Sequence, residues 1–179
     1  MLKITKTYIK DLLIIDGKQH HDNRGYLREL TSEKEIGYKF KFTIVSKSKK
    51  NVLRGLHFQT NKPQGKYVTI LKGKILDVAV DLRKKSKTFG KSFSVILGEK
   101  NCRGIYIPPG FAHGFQTMAK ENIVCYSNTE YRSVGNEHTI KYNDPQLKIK
   151  WLNNLPIMSK KDKNAKTLNE LIQNKIIKP

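Results

Sequence analysis

The sequence predicts a mainly β fold, a sandwich or barrel that ends in a short C-terminal helix. Short segments rich in β-branched and aromatic residues recur through the middle of the chain at spacings of roughly 8 to 12 residues. Breaks that contain Gly, Asn or Lys separate these segments. Helical periodicity is confined to two short stretches. The length of 179 residues predicts a single domain over 1–179.

The strand predictions rest on period-two patterns. The segment 75–82 alternates apolar with polar or small residues, and Lys72-Gly73-Lys74 before it predicts a tight turn. The basic runs 47–50 and 84–85 are interpreted as turns between strands. The predicted strands are 39–45, 67–71, 75–82, 92–97, 103–107 and 123–127.

Two stretches predict helices. Ser32 followed by Glu35 is typical of a capped single turn. The segment 167–177 places Leu168, Leu171, Ile172 and Ile176 at nearly helical spacing, which predicts the C-terminal helix.

Composition limits the classes of function. The formal net charge of +20 fits either a polyanion partner or a lysine-biased surface. Lysines are scattered along the chain, and no stretch combines Arg with interleaved aromatics, so we expect no nucleic-acid binding. No apolar run could span a membrane, and Met1–Lys6 lacks the apolar core of a signal peptide, so we expect a cytoplasmic protein without a membrane partner. Cys102 and Cys125 are expected to be reduced thiols.

The segment 54–59, RGLHFQ, is the first candidate for chemistry. On a strand, His57 shares a face with Gly55 and Gln59, and a barrel strand can direct that face inward. Gly55 leaves room for a close approach. From these residues alone, a buried structural histidine and a working one are equally plausible.

The segment 107–115, IPPGFAHGF, is the second candidate. The spacing Pro108-x-Gly110-x-x-His113 matches the second motif of the cupin barrels, which predicts a cupin-type jelly roll. Metal-binding cupins take two further His and a Glu from the first motif, and the region around His57 offers no second His or Glu. Two imidazoles without a carboxylate make a poor divalent site, so we expect no metal and no cofactor.

These two segments and several others together resemble one family. The chain is similar to the dTDP-4-dehydrorhamnose 3,5-epimerase family from about Asp22 to Asp162, nearly its whole length, with the motifs in order. The segments that carry the resemblance are 22–29, 54–59, QGK at 64–66, DVAVDLR at 77–83, 86–90, 108–115, NDP at 143–145, 149–151 and SKKD at 159–162.

The resemblance implies a catalytic set of four residues. His57 falls at the general base, and Asp162 falls at the carboxylate that orients it. Tyr126 matches the general acid on the opposite face of the sugar, and Lys66 matches the lysine beside the 4-keto oxygen. This set suits the chemistry, because a neutral imidazole can remove a proton next to a ketone at neutral pH.

The resemblance also implies the substrate class, a nucleotide-diphosphate sugar epimerised at C3, C5 or both in deoxysugar biosynthesis for surface polysaccharide. Arg24 and Arg54 match arginines that hold the diphosphate, and Tyr131 matches an aromatic that packs on the nucleotide base. The family members are dimers, so a homodimer is expected. The substrate-binding residues implied are Arg24, Glu29, Arg54, Gln59, His113 and Tyr131.

The chain departs from the family at two places. The strand before RGLHFQ usually carries a Gln and an Asn that help to line the pocket, and this chain has Phe42 and Ile44 there. Leu27 replaces an aromatic residue of the family. Sites that lose hydrogen-bonding groups discriminate differently among polar substrates, so the sugar or the base can differ from the usual one.

Two other functions remain open at this point. One is a sugar-nucleotide ketoisomerase on the same barrel, which also works through an enolate or enediol. The other is a binding module that holds its ligand without turnover. The RGLHFQ segment favours the epimerase, and the joint presence of His57, Asp162, Tyr126 and Lys66 argues against simple binding.

Overall fold

Strands dominate the computed structural model, which describes residues 2–179. Three short helices are α1 (Glu33–Ile36), α2 (Lys160–Lys163) and α3 (Leu168–Gln173), and 3-10 turns lie at Glu99–Asn101 and Val134–Asn136. The strands in chain order are β1 (Lys3–Lys6), β2 (Leu13–Asp16), β3 (Gln19–Asp22), β4 (Gly25–Arg28), β5 (Phe42–Lys49), β6 (Leu53–Gln59), β7 (Lys66–Lys72), β8 (Lys74–Asp81), β9 (Ser92–Gly98), β10 (Arg103–Ile107), β11 (Phe111–Thr117), β12 (Glu121–Asn128) and β13 (Glu137–Thr139). The predicted mainly β fold is confirmed.

Two antiparallel sheets form the body of the protein. One has six strands in the order β1-β2-β10-β7-β12-β5, and the other has five in the order β13-β6-β11-β8-β9. The main apolar core lies between them, because Val68 and Val124 of the first sheet pack with Ala79 and Phe115 of the second. A separate hairpin of β3 and β4 stands outside both sheets. Among residues 2–179, every helix falls short of the length and apolarity that a membrane span requires.

Most of the predicted strands are confirmed within one or two residues at each end. The predicted strand 39–45 is displaced, because the observed β5 begins at Phe42 and continues to Lys49. The run 47–50 is therefore mostly strand and not a turn. All eight residues of β5 pair with β12, and Lys47 points outward to Glu121 at 2.8 Å. The turns at 72–74 and 84–85 are confirmed.

The two predicted helices form, and the second is shorter than predicted. Ser32 caps α1 by accepting a hydrogen bond from the Glu35 backbone. Helix α3 ends at Gln173, because Lys175 has φ +57 and the Ile176 amide donates back to the Leu171 carbonyl. This left-handed termination stops the helix, and the apolar residues after it are still buried or half-buried in the second core.

Gly55 allows strands β6 and β11 to approach each other closely. Its φ is +126, and a Cβ built there would lie 2.5 Å from Gly114 Cα and 2.8 Å from the His113 carbonyl oxygen. Both distances are shorter than any real Cβ contact, so a side chain at 55 would force the strands apart. The close approach places His57 directly opposite His113 in the ladder.

We expect Gly55→Ala to lower the free energy of unfolding by at least about 2 kcal/mol, through backbone strain and overpacking. Urea unfolding measures the loss. Gly135→Ala is the matched control, because a Cβ there meets nothing within 4 Å, and its effect should stay below about 0.5 kcal/mol. Equal stabilities of the two variants would contradict this account of Gly55.

Candidate active site

A cavity of about 700 Å³ opens between the two sheets. Residues of β5, β7 and β12 form one wall, and residues of β6, β13 and the segment 157–162 form the other. The lining residues are Phe42, Ile44, Val52, Leu53, Arg54, His57, Phe58, Gln59, Gln64, Lys66, Tyr126, Asn128, Arg132, Glu137, Ile157, Met158, Ser159, Lys161 and Asp162.

His57 and Asp162 form a hydrogen-bonded pair on one wall. The His57 Nε2 atom lies 2.6 Å from Asp162 Oδ1, and 41% of the histidine side chain is exposed against 5% of the aspartate. Because an ionised carboxylate only accepts, a neutral His57 carries its proton on Nε2. Nδ1 is then the nitrogen with a free lone pair. The arrangement is that of a general base with an orienting carboxylate.

The local sequence fixes Asp162 in its ionised form. Asp162 lies in the first turn of α2, where Ser159 caps the helix and accepts from the Asp162 amide at 3.1 Å. Burial alone would raise the pKa of this carboxyl, but hydrogen bonding with His57, Ser159 and the Gly55 backbone brings the pKa below its ordinary value. The carboxylate therefore stays charged at neutral pH and stabilises an imidazolium at His57.

Tyr126 belongs to the opposite wall. It lies on β12 in the six-stranded sheet, whereas His57 lies on β6 in the five-stranded sheet. Burial raises the pKa of the Tyr126 phenol, although the positive charge of Arg54 opposes the rise. The phenol is therefore protonated at neutral pH and available as a proton donor.

Lys66 supplies a cation to the same cavity. It begins β7 and is half-buried. Burial lowers the pKa of the Lys66 amine to about 8, while the charges of Glu137 and Asp77 hold it up. The amine is mostly protonated at pH 7 and can offset a negative charge that develops in the cavity.

Arg54 and Gln59 also line the cavity, in different ways. Arg54 is exposed, and its Nε donates to Ser48 Oγ at 3.1 Å. The Gln59 amide is occupied by backbone groups: it donates to the carbonyls of Asn61, Lys62 and Tyr131 and accepts from the Ser133 amide. Gln59 thus holds two loops at the cavity, and its predicted contact with substrate stays a prediction.

Four predicted binding residues lie outside the cavity lining. His113 is buried, and its Nε2 lies 2.9 Å from Asp77 Oδ2. Tyr131 is exposed and stacks on Phe42, with ring centroids 6.0 Å apart. Arg24 is 86% exposed and pairs with Asp22, and Glu29 is also exposed. The structure does not bring these four together with the catalytic set within one chain.

Three charged residues of the lining were missed in the sequence. Arg132 donates to both oxygens of Glu137 at 2.6 and 2.8 Å, and Lys161 Nζ lies 3.8 Å from the same carboxylate. The Arg132 hydrogen bonds lower the pKa of Glu137, so this carboxylate is ionised. Of the three, only Lys161 could have been found from the sequence, because it directly precedes Asp162. Arg132 and Glu137 flank the 3-10 turn at 134–136, which brings them to the cavity.

The departures from the family lie beside the proposed acid. In the ladder between β12 and β5, Tyr126 is opposite Ile44 and Asn128 is opposite Phe42. Both apolar side chains line the cavity. The wall around Tyr126 therefore offers van der Waals contact where the family pattern has hydrogen-bonding groups.

The side chains of residues 2–179 include no group of three or more His, Cys, Asp or Glu residues placed to hold a metal ion. His57 and His113 are directly opposite in the ladder, yet each is bonded to its own aspartate. Cys102 and Cys125 are both buried free thiols.

Comparisons with known proteins agree with this geometry. The family model described as dTDP-4-dehydrorhamnose 3,5-epimerase matches residues 6–170. The enzyme of that name from Salmonella typhimurium is 43% identical over 180 residues, covering 96% of this chain and 98% of that protein.

Solved structures extend the likeness to the fold. A dTDP-6-deoxy-D-glucose-3,5-epimerase from Legionella pneumophila, in complex with dTDP-4-keto-L-rhamnose, has a TM-score of 0.93 at 40% identity and covers 99% of this chain and 98% of its own. A 3'-monoepimerase from Streptomyces bikiniensis has a TM-score of 0.89 at 25% identity, covering 97% of this chain and 91% of its own. The cupin-type β fold is thus confirmed. On these grounds the chain belongs to the dTDP-4-dehydrorhamnose 3,5-epimerase family, whose members are isomerases.

Proposed function

We propose that this protein inverts C3, C5 or both of a 4-keto-6-deoxy nucleotide sugar, linked to dTDP or a close relative, in deoxysugar biosynthesis for surface polysaccharide. One observation carries the proposal. The base His57 lies on one sheet and is hydrogen-bonded to Asp162 of α2, and the protonated phenol of Tyr126 lies on the other sheet. Inversion at carbon requires removal of a proton from one face and its return to the other.

The reaction follows from the protonation states. His57 takes the proton from the carbon next to the ketone, and the C–H electron pair moves into an enolate whose charge rests on the 4-oxygen. The Lys66 ammonium offsets that charge. Tyr126 then donates its proton to the opposite face of the carbon, which leaves tyrosinate and imidazolium. Exchange with solvent returns both groups to their starting states.

Cations in the cavity support a diphosphate substrate. Arg54, Arg132 and Lys161 line the same cavity, and arginine in particular can contact phosphate with two parallel hydrogen bonds. The Legionella relative is in complex with dTDP-4-keto-L-rhamnose. The apolar pair Phe42 and Ile44 supports a substrate that differs from the usual one where it meets this wall.

We also propose that the protein works as a homodimer, because Arg24 and Glu29 are exposed and do not line their own cavity. Their hairpin is anchored by Arg28, which donates to Thr69 Oγ1 at 2.7 Å. Side chains alternate along β7, so Thr69 lies on the face opposite to Lys66 and Val68. The hairpin also exposes 75% of Leu27. A second copy would cover this surface and receive Arg24 in its cavity.

A cytoplasmic location stays a prediction.

His57→Ala should reduce solvent exchange at the reacting carbon by about 10²- to 10⁴-fold, because it removes the positioned base. Binding of dTDP should change little, since Arg54 does not contact the imidazole through any hydrogen bond. Exchange is read by NMR after incubating a panel of 4-keto nucleotide sugars in heavy water, and binding by calorimetry. Exchange near the parent rate would place the base elsewhere.

Tyr126→Phe is the companion variant to His57→Ala. Deprotonation by His57 can still proceed, so exchange should persist at one carbon while net inversion falls. The same spectra identify the product: a new stereocentre at C3 or C5 supports the epimerase, a moved carbonyl supports the ketoisomerase, and no exchange with any sugar supports a binding module.

Turnover should be unchanged by exhaustive chelation. The histidines of the cavity region are each bonded to a single aspartate, and this pairing leaves the base, the acid and the cation complete without a divalent ion. Activity is measured before and after treatment with EDTA. Loss of activity that a divalent ion restores would contradict the prediction.

A shared active site predicts complementation between two inactive variants. His57→Ala and Arg24→Ala homodimers should both be impaired. Equal amounts mixed after reversible unfolding should recover about a quarter of wild-type activity. The reason is that about half of the dimers are then mixed, and each mixed dimer has one of its two sites intact. Light scattering checks the mass. A monomer at working concentration, or a mixture no more active than its components, would reject the shared site.

A further inference from the structure

Glu137 is a carboxylate that two cations share at the wall of the cavity. Arg132 donates to its Oε1 and Oε2 atoms at 2.6 and 2.8 Å, and Lys161 Nζ lies 3.8 Å from Oε2. All three side chains line the cavity. Two positive charges thus share one negative charge, so the cluster keeps an excess positive charge beside the cavity.

The cavity lining as a whole has an excess of the same sign. Its cations are Arg54, Lys66, Arg132 and Lys161, and its carboxylates are Glu137 and Asp162. With His57 neutral, these four cations and two carboxylates leave an excess of two positive charges. A diphosphate that joins a nucleoside to a sugar carries one negative charge on each phosphate. Its charge therefore balances the excess.

One side chain holds the backbone on both sides of Arg132. Gln59 accepts from the Ser133 amide at 2.9 Å and donates to the Tyr131 carbonyl at 3.3 Å. Gln59 is also the partner of Glu137 in the ladder between β6 and β13. Because both ends of the ion pair are fixed to the same residue, only the side chain of Arg132 has to move when it changes partner.

The ion pair between Arg132 and Glu137 is open to exchange. The Arg132 side chain is 63% exposed and that of Glu137 is 22% exposed. Ion pairs in contact with water contribute little to stability, because water screens them. Arginine binds phosphate and carboxylate in the same way, with two parallel hydrogen bonds. A phosphate group in the cavity can therefore replace the carboxylate on the guanidinium at little cost.

We propose that Glu137 is a resident counter-ion that the diphosphate of the substrate displaces from Arg132. In the empty site Glu137 keeps Arg132 and Lys161 at the cavity wall. When substrate binds, a phosphate group takes its place on Arg132, and Glu137 keeps its contact with Lys161. The identity of the ligand rests on the proposed function. Arg132 is then a substrate-binding residue, and Glu137 is a positioning residue that competes with the ligand.

Glu137→Gln should tighten the binding of dTDP about 2- to 5-fold, because Arg132 no longer has to leave an exposed ion pair. Calorimetry on the full chain at about 0.15 M salt measures the dissociation constant. Inorganic pyrophosphate, titrated in parallel, should show the same gain, since it carries the phosphates without a base. A merely structural role predicts the opposite sign, because damage at the wall weakens binding. Unchanged or weaker binding, or no binding of either probe, would overturn the proposal.

Glu121→Gln is the matched control. Glu121 is also shared by two cations, Lys47 at 2.8 Å and Lys72 at 2.7 Å, and it lies outside the cavity lining. The substitution changes the net charge by the same amount, and screening over about 8 Å limits its effect at the cavity. We expect dTDP affinity to change by less than about 1.5-fold. A gain equal to that of Glu137→Gln would overturn the proposal, because net charge alone would explain both.

Arg132→Ala separates the exchange of partners from simple repulsion between Glu137 and the ligand. Loss of this arginine should weaken dTDP binding about 3- to 30-fold. Adding Glu137→Gln to Arg132→Ala should tighten binding less than Glu137→Gln does in the wild type, because no arginine remains to be released. Equal gains in the two backgrounds, or an Arg132→Ala variant that binds as the wild type does, would contradict the proposal.

The wild-type protein gives a readout that does not depend on the folding of Glu137→Gln. The NMR signal of the Arg132 Nε–H group, assigned by its loss in Arg132→Ala, should shift as dTDP is added, since Nε leaves Glu137 Oε1. An unmoved signal at saturation would overturn the proposal. None of these measurements needs turnover. If no 4-keto sugar exchanges its protons while Glu137→Gln tightens dTDP binding, the proposed function fails and the displacement of Glu137 stands.

Discussion

The hydrogen bond between His57 and Asp162 joins residues 105 positions apart. It depends on contacts that hold the segment before Asp162 against β6. The segment before Asp162 is bound to the start of β6: the Leu53 amide donates to the Ile157 carbonyl, and the Ile157 amide donates to the Asn51 carbonyl. The Ser159 cap then turns the chain so that the aspartate enters from the first turn of a helix. Each contact is ordinary, but together they place a charged carboxylate, 5% exposed, behind a partly exposed imidazole.

The charges of the cavity behave differently from those of the surface. The chain carries a formal charge of +20, and most of its lysines are exposed. Surface pairs of this kind contribute little, because water screens them. Inside the barrel, a few charges are removed from water and depend on one another: Asp162 on His57, and Asp77 on His113. The composition therefore says little about the cavity, where each of these two carboxylates is paired with one imidazole.

The outer hairpin and the cavity wall explain why one chain holds only part of the expected site. Arg24 and Glu29 are exposed on or next to the β3–β4 hairpin, and Arg28 ties that hairpin to the outer face of the six-stranded sheet. Within the cavity, Arg132 and Lys161 supply cationic groups that the motif comparison did not identify. Phe42 and Ile44 make the wall beside Tyr126 less polar than the family pattern suggests. The predicted catalytic residues and the predicted substrate-binding residues thus lie in different parts of the fold.

The sequence by itself determined the fold class and the family, and it singled out four residues that the structure places around one cavity. Period-two patterns and turn residues act locally, so β7 to β10 were predicted nearly to the residue, and motif order was enough to associate His57 with Asp162. Local sequence patterns gave the wrong bounds for elements whose ends depend on contacts with distant residues or on a single backbone conformation. Strand β5 continues through a lysine run because β12 pairs with all of it, and α3 ends early because Lys175 adopts a left-handed conformation. Only the tertiary structure showed that Gln59 holds loops, that the buried His113 is hydrogen-bonded to Asp77, and that Arg132 and Glu137 reach the cavity. A side chain's surroundings depend on which strands face it across the barrel, and spacing along the chain does not contain that information.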